Sequence, residues 1–208
     1  MASTTNIRID SKSVFTIGQS TLNETSVIDV SGADNNVSIG NNVKGKVLIK
    51  VAGTGSQVLI DDDVNIMGVL NIIIMRGHST VRIKKASSFM GLVRLFNHEP
   101  SSIEIGEDCM FAGEILVTTS DMHPVFDADT HARINPALPI VIGDHVWVGM
   151  GVSILKGVTL GNGSVAGMSS LVTRGVYPEK CVIAGNPARV VRENIRWDRN
   201  LPIPSPTL

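Results

Sequence analysis

Along the last third of the chain, hydrophobic positions fall on a beat of six. Ile142, Val148, Ile154, Leu160, Ala166 and Val172 are aliphatic and six apart, and Gly143, Gly149, Gly161 and Gly167 follow four of them. The residue four places after each is small or β-branched: Val146, Val152, Val158, Ser164, Ser170 and Val176. An amphipathic helix repeats near 3.6 residues and a half-buried strand near 2. A period of six instead describes a chain that turns a corner every six residues and sends an aliphatic side chain inward on each side. Such units bury their inner faces only by stacking, so the pattern predicts a β-solenoid.

The beat continues upstream at a wider interval. Ile17, Ile39, Ile60, Ile83 and Ile105 stand 21 to 23 residues apart, with Thr21, Val43, Val64, Ser87 and Cys109 as the fifth residue of each unit. The N-terminal half therefore reads as coils of the same solenoid with extra turn residues, such as Gly53-Thr54-Gly55 and Arg76-Gly77-His78. From Ile105 the strict beat resumes through Phe111 and Val117, and then residues 121–139, with Pro124, Pro136 and Pro139, break it. This predicts a loop extruded from a rigid scaffold, where function concentrates. Arg189 to Trp197 has helical spacing, and a short helix there would cover the open end of the coil stack. The expected organisation is an all-β solenoid over residues 1–180 with loop 121–139, then a connection, helix and irregular tail over 181–208.

Composition narrows the partners. A net charge of −1 over 208 residues leaves no basic surface for nucleic acid. Aromatics at 4% and 20 glycines suit a narrow interior with tight turns. The first six residues carry neither a basic region nor an apolar stretch, and the longest apolar run, Val69 to Met75, is too short to span a bilayer. A cytoplasmic protein without membrane insertion is expected. Cys109 and Cys181 are far apart with no CxxC, and read as core residues of a reducing compartment.

The run from Ile142-Gly-Asp-His-Val-Trp-Val-Gly to Val172-Thr-Arg, followed by Ile183-Ala-Gly-Asn-Pro-Ala-Arg-Val-Val, resembles the hexapeptide-repeat acyltransferases. Asp121-Met122-His123-Pro124 resembles their active-site stretch. Arg133-Ile134-Asn135 and Glu193 to Trp197 resemble the capsular polysaccharide (polysialic acid) O-acetyltransferases in particular. The likeness covers residues 103–197 closely and the earlier coils by period only. It implies a left-handed parallel β-helix, a homotrimer with active sites between subunits, and acetyl-CoA as co-substrate. The reaction it implies is acetyl transfer to a sugar hydroxyl, on a capsular or other surface glycan. The N-terminal helical domain of galactoside, maltose and serine acetyltransferases has no counterpart here.

Such a transfer needs a base for the hydroxyl proton, a donor for the oxyanion and alignment of two substrates. His123, at the mouth of the loop, is the best-placed base, since neutral imidazole accepts a proton near neutral pH. Taken without the family, it reads rather as a solvated loop histidine; the resemblance makes it the general base. Asp121, or a backbone carbonyl, would orient its ring. Trp147 precedes inward-facing Val148 and projects outward, as a trimer contact, a lining of the acetyl and pantetheine pocket, or both. Gly149, Met150, Gly167 and Met168 belong to a flat wall of exposed backbone that the resemblance gives to pantetheine, with the Met150 N–H at the oxyanion. Thr173 and Arg174 close the last strict hexad, and Arg189 and Arg192 share one face of the predicted helix. Singly these arginines read as solvated charges; at the family's positions they face the CoA phosphates.

Arg133 and Asn135 are candidate acceptor contacts, the former suited to an anionic glycan. His145, one residue before inward-facing Val146, points outward; a second catalytic role in the same cleft is conceivable, but an exposed or interface histidine is the plainer reading. Cys109 faces inward and is a poor nucleophile. The γ-class carbonic anhydrases are also left-handed β-helices, with a pair of zinc-binding histidines five apart. No two of His78, His98, His123, His131 and His145 are so spaced, so no metal is expected. Two alternatives stay open: acetylation of a small molecule such as a monosaccharide, amino acid or antibiotic, and a β-helix that only binds or assembles. The latter predicts outer Ser or Thr ladders and a secretion signal, and neither is found.

Overall fold

Most coils of the chain lay down three short parallel strands, and each strand pairs with its counterpart one coil later. Ile140–Ile142, Trp147–Val148 and Ser153–Leu155 make one such coil, paired with Val158–Leu160, Val165–Ala166 and Leu171–Val172 of the next. The computed structural model describes residues 6–201, so the readings for residues 1–5 and for the tail from 202 lie outside it. The fold is an all-β parallel solenoid with three walls. The second wall is an eight-stranded sheet, from Val14–Ile17 to Gly175–Tyr177. The first and third walls are joined by two long strands, Lys44–Ala52 and Asn65–Ile74, which run round the corner between them.

The predicted beat is the register of these walls. Ile17, Ile39, Ile60, Ile83, Ile105, Ile142 and Leu160 stand in one column of the second wall, each opposite the next. Ile72, Leu95, Val117, Ile154 and Val172 form the corresponding column of the first wall. Phe89, Phe111, Val148, Ala166 and Ile183 form that of the third. Nearly all of these side chains are fully buried, and the Phe89 and Phe111 rings stack at 5.0 Å. Full burial of each Val, Leu, Ile or Phe among them stabilises the fold by about 1.5–3 kcal/mol. Side-chain size varies along the third-wall column, from the two phenylalanines through Val148 to Ala166 and back to Ile183. Close coil approach requires glycine at Gly45, where φ is +116° and a Cβ would lie 1.9 Å from the Ile66 carbonyl oxygen.

The C-terminal helix is not formed. Residues Ala188–Arg192 are a strand, antiparallel to Val182–Gly185 on the third wall, and residues 193–201 follow as irregular chain. Arg189 and Arg192 therefore do not share a helical face. The adjacent β-branched Val190 and Val191 favour extended backbone. An isolated nine-residue helix is marginal, whereas the open edge of Val182–Gly185 offers ready hydrogen-bond partners. Val182–Gly185 itself continues the third wall from Val165–Ala166, so the sheet runs past residue 180. Among the described residues, no helix is long and apolar enough to cross a membrane.

Candidate active site

The extruded loop leaves the first wall after Ile115–Thr118 and rejoins the second at Ile140–Ile142. It is folded on itself as a hairpin, with Phe126 bridged to Arg133 and the Ile134 N–H donating to the Val125 carbonyl at 2.9 Å. Two neighbouring coils hold it. From the turn after Leu92–Asn97, one coil earlier, Glu99 accepts both Arg133 Nη1 at 2.6 Å and Arg133 Nη2 at 2.8 Å, and also the Ser120 hydroxyl. The start and the return of the loop thus meet on one carboxylate. Hydrogen bonding from Arg133, then from Ser120, holds Glu99 far below the usual carboxylate range, at about 2. From the turn after Ser153–Leu155, one coil later, Lys156 binds Asp121 and donates to the Asn135 carbonyl at 3.1 Å.

His123 lies between these anchors, exposed to solvent. Its N–H donates to the Asp121 carbonyl at 2.8 Å. Asn135 brackets the residues on either side of Pro124: its Nδ2 donates to the His123 carbonyl at 2.9 Å, and its Oδ1 accepts the Val125 N–H at 2.6 Å. The Asp121 carboxylate is bound by Lys156 and by Asn135 Nδ2 at 2.8 Å, and hydrogen bonding from Lys156 keeps it below its ordinary pKa. Asp121 is thereby tied to the loop framework, and the Arg133 guanidinium to Glu99. Glu99 and Lys156 were not singled out in the sequence. The coil interval carried a signal for Glu99, which precedes Ser120 by 21 residues. The loop's length hides Lys156, 35 residues after Asp121.

On the third wall, Trp147, Gly149, Met150, Gly167 and Met168 line a shallow cleft of about 320 Å³ together with Ala112, Val165 and Ala166. The wall is flat because a Cβ on Gly149 would lie 2.8 Å from the Met168 nitrogen and 2.9 Å from the Ala166 oxygen. Gly149 N–H donates to the Ala166 carbonyl and Gly151 N–H to that of Gly113, both ties between coils. Among the described residues, the Met150 N–H between them meets no acceptor.

The expected site residues divide between walls. His123 and Arg174 belong to the corner between the first and second walls; Arg174 follows Leu171–Val172, and a Cβ on Gly157 would touch both its Cγ and Leu138 of the loop at 3.0 Å. Thr173 immediately precedes it. Trp147, the cleft, Arg189 and Arg192 belong to the third wall. A single chain does not bring the two sets onto one wall.

His145 is more engaged than its sequence position indicated. Its Nδ1 is 2.7 Å from Asp108 Oδ2, its ring stacks on Trp197 at 4.0 Å, and the Trp197 indole donates to its carbonyl at 2.9 Å. Trp197 in turn lies 6.0 Å from the Trp147 ring. Cys109 is fully buried, and burial pushes its thiol up to about 11. Among the described residues, no group of three His, Cys, Asp or Glu side chains converges as a metal site would require.

No protein-family model matches the chain. A polysialic acid O-acetyltransferase of Neisseria meningitidis is 35% identical to it over 187 residues, spanning 89% of this chain and 85% of the relative. The crystal structure of the polysialic acid O-acetyltransferase OatWY matches with a TM-score of 0.79 at 33% identity, over 97% of this chain and 91% of that one. The structure of NeuO, a polySia-specific acetyltransferase, matches with a TM-score of 0.66 at 31% identity, over 96% and 91% of the two chains. With 35% identity over 89% of its length to such a relative and a solenoid that matches at a TM-score of 0.79, the chain belongs to the hexapeptide-repeat β-helix acetyltransferase family and is an O-acetyltransferase.

Proposed function

We propose that the protein moves an acetyl group from acetyl-CoA to a hydroxyl of a sialic-acid-containing surface glycan, with His123 as the general base. The observation that carries this reading is the 35% identity, sustained over 187 residues, to an enzyme that acetylates polysialic acid. The loop supports the role of His123: its backbone is held on both sides of Pro124, while its side chain is open to an acceptor. His123 takes the proton from the acceptor hydroxyl as the oxygen attacks the thioester carbonyl. The carbon–sulfur bond then breaks, and the proton passes from His123 to the departing CoA thiolate. The unpartnered Met150 N–H is the donor for the oxyanion, in the cleft that Trp147 lines.

Gly149, Gly167 and Met168 receive the pantetheine arm along the cleft, and Thr173, Arg174, Arg189 and Arg192 meet the polar end of CoA. Arg133 and Asn135 serve the acceptor by shaping the loop, since their polar groups are engaged there. Because the loop and the cleft stand on different walls, the complete site is shared between copies of the chain in a homotrimer.

The test is release of CoA thiol, with mass analysis of the acceptor, for polysialic acid against free monosaccharides, amino acids and aminoglycosides. Acetyl gain on polysialic acid supports the reading. Turnover confined to a small molecule replaces the glycan with that acceptor class.

A further inference from the structure

Lys156 belongs to neither the loop nor the cleft, yet it makes the connection that fixes the loop to the coil above. Its side chain is 17% exposed, unusual seclusion for a lysine on a thin solenoid. Two of its contacts converge on the segment around His123. One is the Asp121 carboxylate, two residues before the histidine; the other is the Asn135 carbonyl. Asn135 then hydrogen-bonds the His123 carbonyl through the same Nδ2 that meets Asp121. The chain of contacts from Lys156 to the His123 backbone is therefore closed on two routes, each one residue long. From Asp121 the His123 N–H is tied at 2.8 Å, and from Asn135 the His123 carbonyl is tied at 2.9 Å.

We propose that Lys156 is a positioning residue for the reaction: it sets the placement of His123 through Asp121 and Asn135, without touching either substrate. The inference rests on His123 being the base. The physical reason for such a residue lies in the loop. Its outer part exposes Met122, Val125, Phe126 and Ile134 and buries little that would hold it in place. The opposite anchor, Glu99, holds Ser120 and Arg133; Arg133 Nη2 also donates to the Asn135 carbonyl at 3.3 Å and the Ser120 hydroxyl accepts the Met122 N–H, but among the described residues only Lys156 ties the Asp121 carboxylate directly to a neighbouring coil. Without the ammonium group, the Asp121 carboxylate loses its tie to the solenoid and the Asn135 carbonyl keeps only Arg133, so the His123 segment drifts against the rest of the site. A displacement of about 1 Å is enough to cost on the order of 100-fold in rate when a catalytic group must meet its partner in line.

The experiment compares Lys156→Met, Lys156→Arg, Asp121→Asn and His123→Ala in the full-length protein, with steady-state kinetics and hydrogen exchange of the loop amides. Lys156→Met should lower kcat by about 10- to 100-fold with the KM for acetyl-CoA unchanged. Amides in residues 121–126 should exchange faster while those of Ile115–Thr118 and Ser153–Leu155 do not. Lys156→Arg, which keeps charge and donors, should recover most of the rate. Asp121→Asn should resemble Lys156→Met, and the double variant should lose little more than either alone, because both break one connection. Should Lys156→Met fold poorly, Asp121→Asn with its exchange pattern carries the test. A kcat within two-fold of wild type for both variants, with His123→Ala strongly impaired, overturns the positioning role and leaves the base in place. Near wild-type turnover of His123→Ala overturns the base and with it this inference.

Discussion

Asp108 and His145 occupy the same turn position in successive coils, each in left-handed backbone with φ of 53°, and this stacking puts His145 Nδ1 2.7 Å from Asp108 Oδ2. The pair is the dock for the irregular C-terminal chain. Arg199 donates to Asp108 Oδ1 at 2.8 Å, to the Ser88 hydroxyl at 2.7 Å and to the Cys109 carbonyl at 2.8 Å. Burial alone would raise the Asp108 pKa, but the hydrogen bonds from His145 and Arg199 bring it below its ordinary value. Trp197 is thereby held at 9% exposure beside Trp147, which is 39% exposed. Arg199→Ala should release this segment. Trp197 is one of two tryptophans, so fluorescence of the variant in a Trp147→Phe background reads it directly. Emission should shift to the red, and unchanged emission would show that the segment docks without Arg199.

His123→Ala should lower kcat by roughly 100- to 10,000-fold, the usual contribution of a positioned base, with oligomeric state and acetyl-CoA affinity retained. His145→Ala should behave differently. It removes a stacked aromatic pair and costs about 0.5–1.5 kcal/mol of stability, with a far smaller loss of turnover. Thermal unfolding and initial rates on both variants separate the roles; a larger kinetic loss at position 145 would move the base there.

Glu99 gives the loop a defined acid sensitivity. Held at about 2 in the fold, below the ordinary 4.5 of a free glutamate, it makes a contribution that is complete above about 4.5 and fades as pH falls towards about 2. Limited proteolysis between residues 118 and 135 should accelerate across that window. Glu99→Gln should show faster cleavage already at neutral pH and a flatter acid dependence. An identical acid profile in the variant would assign the sensitivity to another group.

Arg174→Ala, Arg189→Ala and Arg192→Ala should each raise the KM for acetyl-CoA by about 10- to 100-fold, as expected for a charge-assisted contact to phosphate. The effect should shrink with dephospho-CoA for whichever arginine meets the ribose phosphate. An unchanged acetyl-CoA KM with a raised acceptor KM would reassign that arginine to the glycan.

Light scattering at micromolar concentration should give a mass near three times 22.2 kDa. A fully active monomer would overturn both the trimer and the shared site.

Much of this architecture was legible in the residues. The isoleucine interval became the column of the second wall, the strict hexads became the sides of the last coils, and the break after Val117 became the loop. Inward positions in a solenoid repeat locally, so a single chain of residues carries the whole pattern. The C-terminal segment misled because Val190, Val191, Asn194, Ile195 and Trp197 fit a helical face as well as a strand. What decided between them was the free edge of Val182–Gly185, a partner that no local spacing reveals.

The sequence by itself determined the solenoid, its coil boundaries, the loop and the identity of the histidine at its mouth. Each follows from period and side-chain type. Only the tertiary structure decided that Glu99 and Lys156 clamp the loop from the coils below and above, that Asp121 meets Lys156, and that Asp108 and His145 anchor Trp197. Those contacts join residues 21 to 52 positions apart, across coils whose lengths differ. A solenoid makes its ion pairs along the stacking axis, so which polar side chains meet depends on the summed length of every turn and loop between them.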